Sequence, residues 1–129
     1  WLHIAQVVAR EAVRHDFRRV AVLGTRLLME GPVYSRQLGE SGIEQVLPKP
    51  DDRTRVHDII LSELVRGQLT RRSQAYLYDL IAGMKAEGCD AVILGCTELP
   101  LLIGAERPAL PVLDSTRLLA EAAVRHATE

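Results

Sequence analysis

Long apolar runs are absent from this 129-residue sequence. The longest wholly apolar stretches, such as Ala91 to Leu94, fall far short of the about 20 residues needed to cross a bilayer, so no membrane partner is expected. No charged, apolar, small-residue leader opens the chain, and a cytoplasmic location is the expectation. Cysteine is scarce too. Cys89 and Cys96 lie seven apart and match neither a zinc spacing nor a Cys-x-x-Cys redox pair; in a reducing compartment both are free thiols. The four histidines, His3, His15, His57 and His126, show no metal spacing and read as surface or helix-end residues on helices among charged neighbours, so no metal is expected. An excess of either charge is also missing. Sixteen Lys plus Arg face seventeen Asp plus Glu, a formal net charge of -1, which gives no field to attract nucleic acid or an anionic membrane. Glycine-rich phosphate loops are lacking: after Gly24 no glycine follows until Gly31, and no Gly-Lys-Ser/Thr element occurs, so nucleotide binding has little support.

What is present fits one soluble domain over residues 1–129. The 47% hydrophobic and 26% charged content supplies one real core. Helical periodicity alternates with short β-branched runs closed by Gly or Pro from end to end. Leu2, Ala5, Val8, Ala9, Ala12 and Val13 make the apolar stripe of a first helix, and Arg19 to Gly24 reads as a buried strand followed by a loop at Gly24-Thr25-Arg26. Pro32 opens a helix ending near Gly39 or Gly42. Ile43 to Leu47 is a second strand. Asp51-Asp52 start a helix whose inner face runs through Val56, Ile59, Ile60 and Leu64 to a stop at Gly67. Thr70 or Ser73 caps a long helix with Gly88 just past its end. Ala91 to Gly95 is a third strand, Leu99 to Ile103 a short helix, Pro111 to Leu113 a fourth strand, and Asp114 or Ser115 caps a last helix to about Ala127. Strands separated by helices imply right-handed crossovers. The expected fold is α/β: a doubly wound parallel sheet of about four strands with helices on both faces.

Ligands of such sheets bind outside the carboxyl ends of the strands. Three loops there carry candidate residues: Gly24-Thr25-Arg26, Gly95-Cys96-Thr97-Glu98 and Asp114-Ser115-Thr116. A cysteine just past a buried strand and just before a helix has its sulfur near unpaired N–H groups and the positive dipole end. That setting is expected to lower the thiol from its usual pKa of about 8.5. The alternative is that Cys96 is one more small buried hydrophobe. Cys89 lies before the strand, at the end remote from the expected site. Arg71-Arg72, Arg53 and Arg55 read as solvated helix residues, and Tyr76 and Tyr78 as helix components with no stacking role.

These loops resemble the cofactor-independent aspartate/glutamate racemases of the larger aspartate/glutamate/hydantoin racemase group. The matching pieces are Val22-Leu23-Gly24-Thr25-Arg26 with Met29-Glu30, then Arg53 to Gly67, then Val92 to Pro100, and Pro111 to Thr116. The Gly-Cys-Thr-Glu element is the most specific, and Glu98, where cell-wall glutamate racemases usually have His, brings the match closer to the aspartate branch. The resemblance implies two similar α/β halves with the active site between them, of which this chain is the second. It assigns Cys96 as one of two catalytic acid/base residues, with the other, Cys or Thr, upstream of Trp1. Thr97, Glu98 and Thr25 become substrate-binding candidates. The implied substrate is an acidic amino acid, with no cofactor, in a homo-oligomeric enzyme that this half alone does not complete. Relatives carry a lysine before the glycine matching Gly67, where Val65 and Arg66 stand here. Hydantoin racemase, maleate isomerase and arylmalonate decarboxylase reuse a cysteine at the same loop. From another class, a non-catalytic ligand-binding or assembly module could keep the fold. The last helix, with Leu118, Leu119, Ala122, Ala123 and Val124, is expected to lack part of its cover, and so to meet a neighbouring chain or fold back in a new position.

Overall fold

The computed structural model describes residues 3–103 and 106–128. Four strands, β1 (Arg19–Leu23), β2 (Glu44–Val46), β3 (Ala91–Leu94) and β4 (Val112–Asp114), form one sheet in the order β2-β1-β3-β4. Every neighbouring pair is parallel. Six α-helices surround it: α1 (Ile4–Arg14), α2 (Arg26–Glu30), α3 (Pro32–Glu40), α4 (Pro50–Ser62), α5 (Arg71–Ala86) and α6 (Ser115–Thr128). Short 3-10 turns occupy Leu64–Arg66 and Leu99–Leu102. The expected doubly wound architecture is the one observed.

The composition of the central strands explains the two helical layers. Val20 to Leu23 and Ala91 to Leu94 are all 0% exposed, so side chains on both faces of the sheet need cover. Ala21, Leu23, Val92 and Leu94 pack with Ile60, Leu77, Ile81 and Leu99. Val20, Val22, Ala91 and Ile93 pack on the other side with Val8, Tyr34, Leu38 and Leu118. At the start of the strands, Asp90 Oδ2 accepts the backbone N–H groups of Arg18 and Arg19 at 2.7 and 3.1 Å, tying the entry of β1 to that of β3.

Helix ends follow local chemistry, with some departures from the sequence reading. Thr70, not Ser73, caps α5: its Oγ1 accepts the Ser73 N–H at 3.1 Å. Gly88, at φ +98°, closes the same helix, its N–H bonding the Lys85 carbonyl while Cys89 N–H bonds that of Met84. This pattern needs a left-handed residue, which glycine supplies without a Cβ penalty. The helix expected from Asp51 to Gly67 breaks at Glu63, whose carboxylate accepts both the Thr70 and the Ser73 hydroxyls. Leu64 nonetheless stays in the core. The expected loop at Gly24-Thr25-Arg26 is shorter than read, because Thr25 caps a helix the apolar pattern did not reveal; five residues are too few to show a period.

In α1 the buried stripe is Ala5, Val8, Ala9 and Ala12 together with Val7, whereas Val13 is 48% exposed; Leu2 lies outside the described residues. α1 packs on its own sheet as expected. α6 folds back on the same domain, against α1, with Leu118 buried and Leu119 and Ala122 joining that packing. Val124, farther along the helix, is 64% exposed.

Two substitutions test this account by urea unfolding. Ile93→Ala empties the centre of the sheet and is expected to cost about 2–5 kcal/mol. Gly88→Ala forces a side chain into left-handed backbone and is expected to cost about 1–2 kcal/mol. Wild-type stability in either variant would contradict the corresponding packing or capping assignment.

Candidate active site

The register of the two central strands brings the candidate loops together. Leu23 pairs with Leu94, and Leu94 pairs in turn with Asp114. Thr25, Cys96 and Ser115 therefore all lie within two residues of one transverse line at the carboxyl edge of the sheet. Gly95 N–H bonds the Leu23 carbonyl at 2.8 Å, extending the β1–β3 contact one step towards Cys96. Each strand is followed by a glycine at which an added Cβ would meet the end of the Leu28 side chain. A Cβ at Gly24 would lie 2.7 Å from Leu28 Cδ2, and one at Gly95 would lie 2.5 Å from the same atom. Leu28, on α2, thus sits directly over both strand ends.

Cys96 is half-buried just past β3. Its Sγ accepts the Leu99 N–H at 3.3 Å, the contact expected of a residue at the start of a helical turn. The thiol is nonetheless pushed above its ordinary pKa. Burial is the main cause, since it penalises the charged thiolate. The N–H groups of Leu99 and Glu98 pull in the opposite direction, while the Glu98 carboxylate adds to the rise by repelling the thiolate and accepting the thiol proton. The lowered thiol expected from position alone is therefore corrected. The turn that follows is a single 3-10 turn, Leu99–Leu102, and the few N–H groups it presents do not offset desolvation and a neighbouring carboxylate.

Thr97 is exposed and Glu98 half-buried beside the thiol. Thr25 is half-buried, with Oγ1 accepting the Leu28 N–H at 3.4 Å. In the third loop Asp114 Oδ1 accepts the Arg117 N–H at 3.2 Å and opens α6. Ser115 is fully buried and donates to the Leu94 carbonyl at 3.0 Å. Its hydroxyl also neighbours Tyr34, whose phenol is raised above its usual pKa by burial, with Ser115 acting against that rise.

Cys89 lies at the other end of β3 and is 5% exposed. Burial raises its thiol as well, against a lowering effect of Arg19.

Several residues read as solvated have structural partners. Arg53 donates from Nε to the Pro48 carbonyl at 2.9 Å and pairs with Glu30 at 3.2 Å. The Arg55 guanidinium lies 4.3 Å from the Tyr76 ring centroid, and Tyr76 in turn donates to Asp52. His57 accepts the Arg26 N–H through Nδ1 at 2.9 Å, which places it beside the Thr25 loop; its spacing from other residues carried no signal of this. Among the described residues no group of three His, Cys, Asp or Glu side chains is placed to hold a metal. None of the described helices is long and apolar enough to cross a membrane.

Residues 1–123 match the family model for Asp/Glu/Hydantoin racemase. The broad specificity amino-acid racemase RacX of Bacillus subtilis (strain 168) is 26% identical over 125 residues, covering 95% of this chain and 52% of its own length. Among solved structures, a protein from Yersinia pestis described as a candidate Asp/Glu racemase is 35% identical with a TM-score of 0.93, over 99% of this chain and 56% of that one. An aspartate racemase homologue from Pyrococcus horikoshii OT3 gives 33% identity and a TM-score of 0.90 over the same shares, 99% and 56%. The chain spans about half the length of the relatives it matches. With the family model matched over residues 1–123, the chain belongs to the Asp/Glu/hydantoin racemase family.

Proposed function

We propose that this chain is part of a racemase for an acidic amino acid, aspartate or glutamate, in which Cys96 is one of two opposed acid/base groups. The observation that carries this reading is the position of the Cys96 thiol: half-buried past the end of β3, with N–H groups and a carboxylate around it, on the same edge as Thr25. An amino-acid α-proton is weakly acidic. Racemisation without a cofactor requires one group to remove it from one face and another to deliver a proton to the opposite face.

A thiol raised above its ordinary pKa is protonated at neutral pH, so Cys96 is poised to deliver a proton in one direction of reaction. In the other direction it acts as base. Desolvation, which opposes formation of the thiolate, also makes that thiolate more basic once formed. Glu98, in contact with the thiol proton, tunes this balance. Thr97 and Thr25 supply hydroxyl and backbone groups for holding the substrate. The opposed acid/base is assigned to residues outside this chain, because the matched relatives are about twice its length. The reading invokes no cofactor and no metal.

Exchange of the substrate α-proton in D2O tests the proposal in the intact protein, with both enantiomers of aspartate and glutamate. Cys96→Ala is expected to lower racemisation, and solvent exchange of the enantiomer whose α-proton faces Cys96, by about 10²–10⁴-fold, the usual worth of a positioned acid or base. Wild-type exchange in that variant would remove Cys96 from the mechanism. A polypeptide limited to these 129 residues is expected to show no exchange at an enzymatic rate, since it lacks the opposed group; ordinary turnover would contradict the half-site assignment.

Iodoacetamide labelling followed against pH tests the electrostatics. Cys96 should label before Cys89 because it is the more exposed thiol, and its rate should keep rising with pH beyond the ordinary thiol value of about 8.5. Glu98→Gln removes a group that raises the pKa, so the midpoint should move to lower pH. An unmoved or higher midpoint would show that Glu98 does not act on the thiol.

A further inference from the structure

The α2 helix, whose Leu28 lies against Gly95 next to Cys96, is held from outside itself. With five residues, α2 is far shorter than a helix that is stable on its own hydrogen bonds. Three polar contacts from α4 reach it. His57 Nδ1 accepts the Arg26 N–H at 2.9 Å, Thr54 Oγ1 accepts from Arg26 Nη2 at 2.6 Å, and Arg53 Nη1 meets Glu30 Oε2 at 3.2 Å. The first of these acts on the backbone. Arg26 is the first helical residue, so its N–H has no partner inside the helix. Thr25 is already committed to the Leu28 N–H, and His57 satisfies the Arg26 amide that Thr25 does not.

The consequence reaches the thiol loop through Leu28. That side chain covers the Cα positions of both Gly24 and Gly95 so closely that neither tolerates a Cβ without displacement. A shift of α2 would therefore move the cover of Gly95, the residue preceding Cys96, together with the Thr25 hydroxyl. An Nδ1 that accepts a hydrogen bond carries no proton, so the tether uses the imidazole as an acceptor at the δ position. Asparagine offers an acceptor at that same position, and leucine offers none.

We propose that His57 is a positioning residue for the Thr25 and Cys96 loops: by accepting the Arg26 amide it fixes the Thr25 turn and seats Leu28 over Gly95 beside Cys96. The inference rests on the racemase reading for its catalytic meaning, but the tether itself is read without substrate.

Three measurements on the intact protein decide it, with His57→Leu and His57→Asn compared. Loss of one hydrogen bond should speed amide exchange at Arg26 by up to about tenfold in His57→Leu, and His57→Asn should restore protection. The Cys96 alkylation rate should change in the leucine variant and return in the asparagine variant. With aspartate or glutamate as substrate, KM should rise about tenfold in His57→Leu while kcat falls by less, and the asparagine variant should recover most of the loss. Unchanged Arg26 exchange in His57→Leu would overturn the tether. Altered exchange without any change in Cys96 alkylation or KM would overturn its positioning role. If His57→Leu fails to fold, His57→Asn decides alone: Arg26 protection and Cys96 alkylation like those of wild type support the acceptor role, and a folded variant lacking them refutes it. Failure of the wild-type protein to exchange any substrate α-proton would refute the racemase reading, leaving the Arg26 and Cys96 measurements to judge the tether separately.

Discussion

The arrangement of the Thr25 and Cys96 loops depends on the parallel pairing of β1 with β3. That register sets Leu23 opposite Leu94, so the two glycines that follow emerge side by side and one leucine can cover both. A slip of one residue would exchange the faces of every buried strand residue. It would also carry Cys96 away from the Thr25 loop. The pairing is enforced by burial on both faces of the central strands and by Asp90 at their start. The placement of these loops is thus set largely by residues outside them.

The thiol shows why position on a fold does not fix chemistry. Placement before a helical turn brings the expected N–H contact to Cys96, yet the net effect is a raised pKa because burial and Glu98 act the other way. Electrostatic effects of opposite sign meet within one turn of chain. In a racemase this is compatible with function, since the group must be protonated for one direction of reaction and basic for the other.

The layer architecture was legible because its cause is local. Strands such as Val20 to Leu23 and Ala91 to Leu94 are continuous apolar runs, and the helices between them carry clear stripes, caps and stops at Thr70 and Gly88. The resemblance of the Cys96 loop to a known family was legible for a different reason, being a short motif whose residues lie together in the chain. The α2 helix was not. Its only internal signals are Thr25 and five residues that show no period, and its polar support comes from α4, 23 to 31 positions away. His57 escaped notice for the same reason, since its partner is a backbone amide and any residue type could supply one. The break at Glu63 likewise rests on side-chain bonds to Thr70 and Ser73 that no spacing rule specifies.

Both outer strands of the sheet are three residues long. β2 is followed by Pro48 and Pro50, and β4 is preceded by Pro111. Short rims interrupted by proline offer few free N–H and C=O groups to a strand from another molecule, and long flat rims are what invite such pairing. The domain is thereby guarded against edge-to-edge aggregation while its sheet is forming.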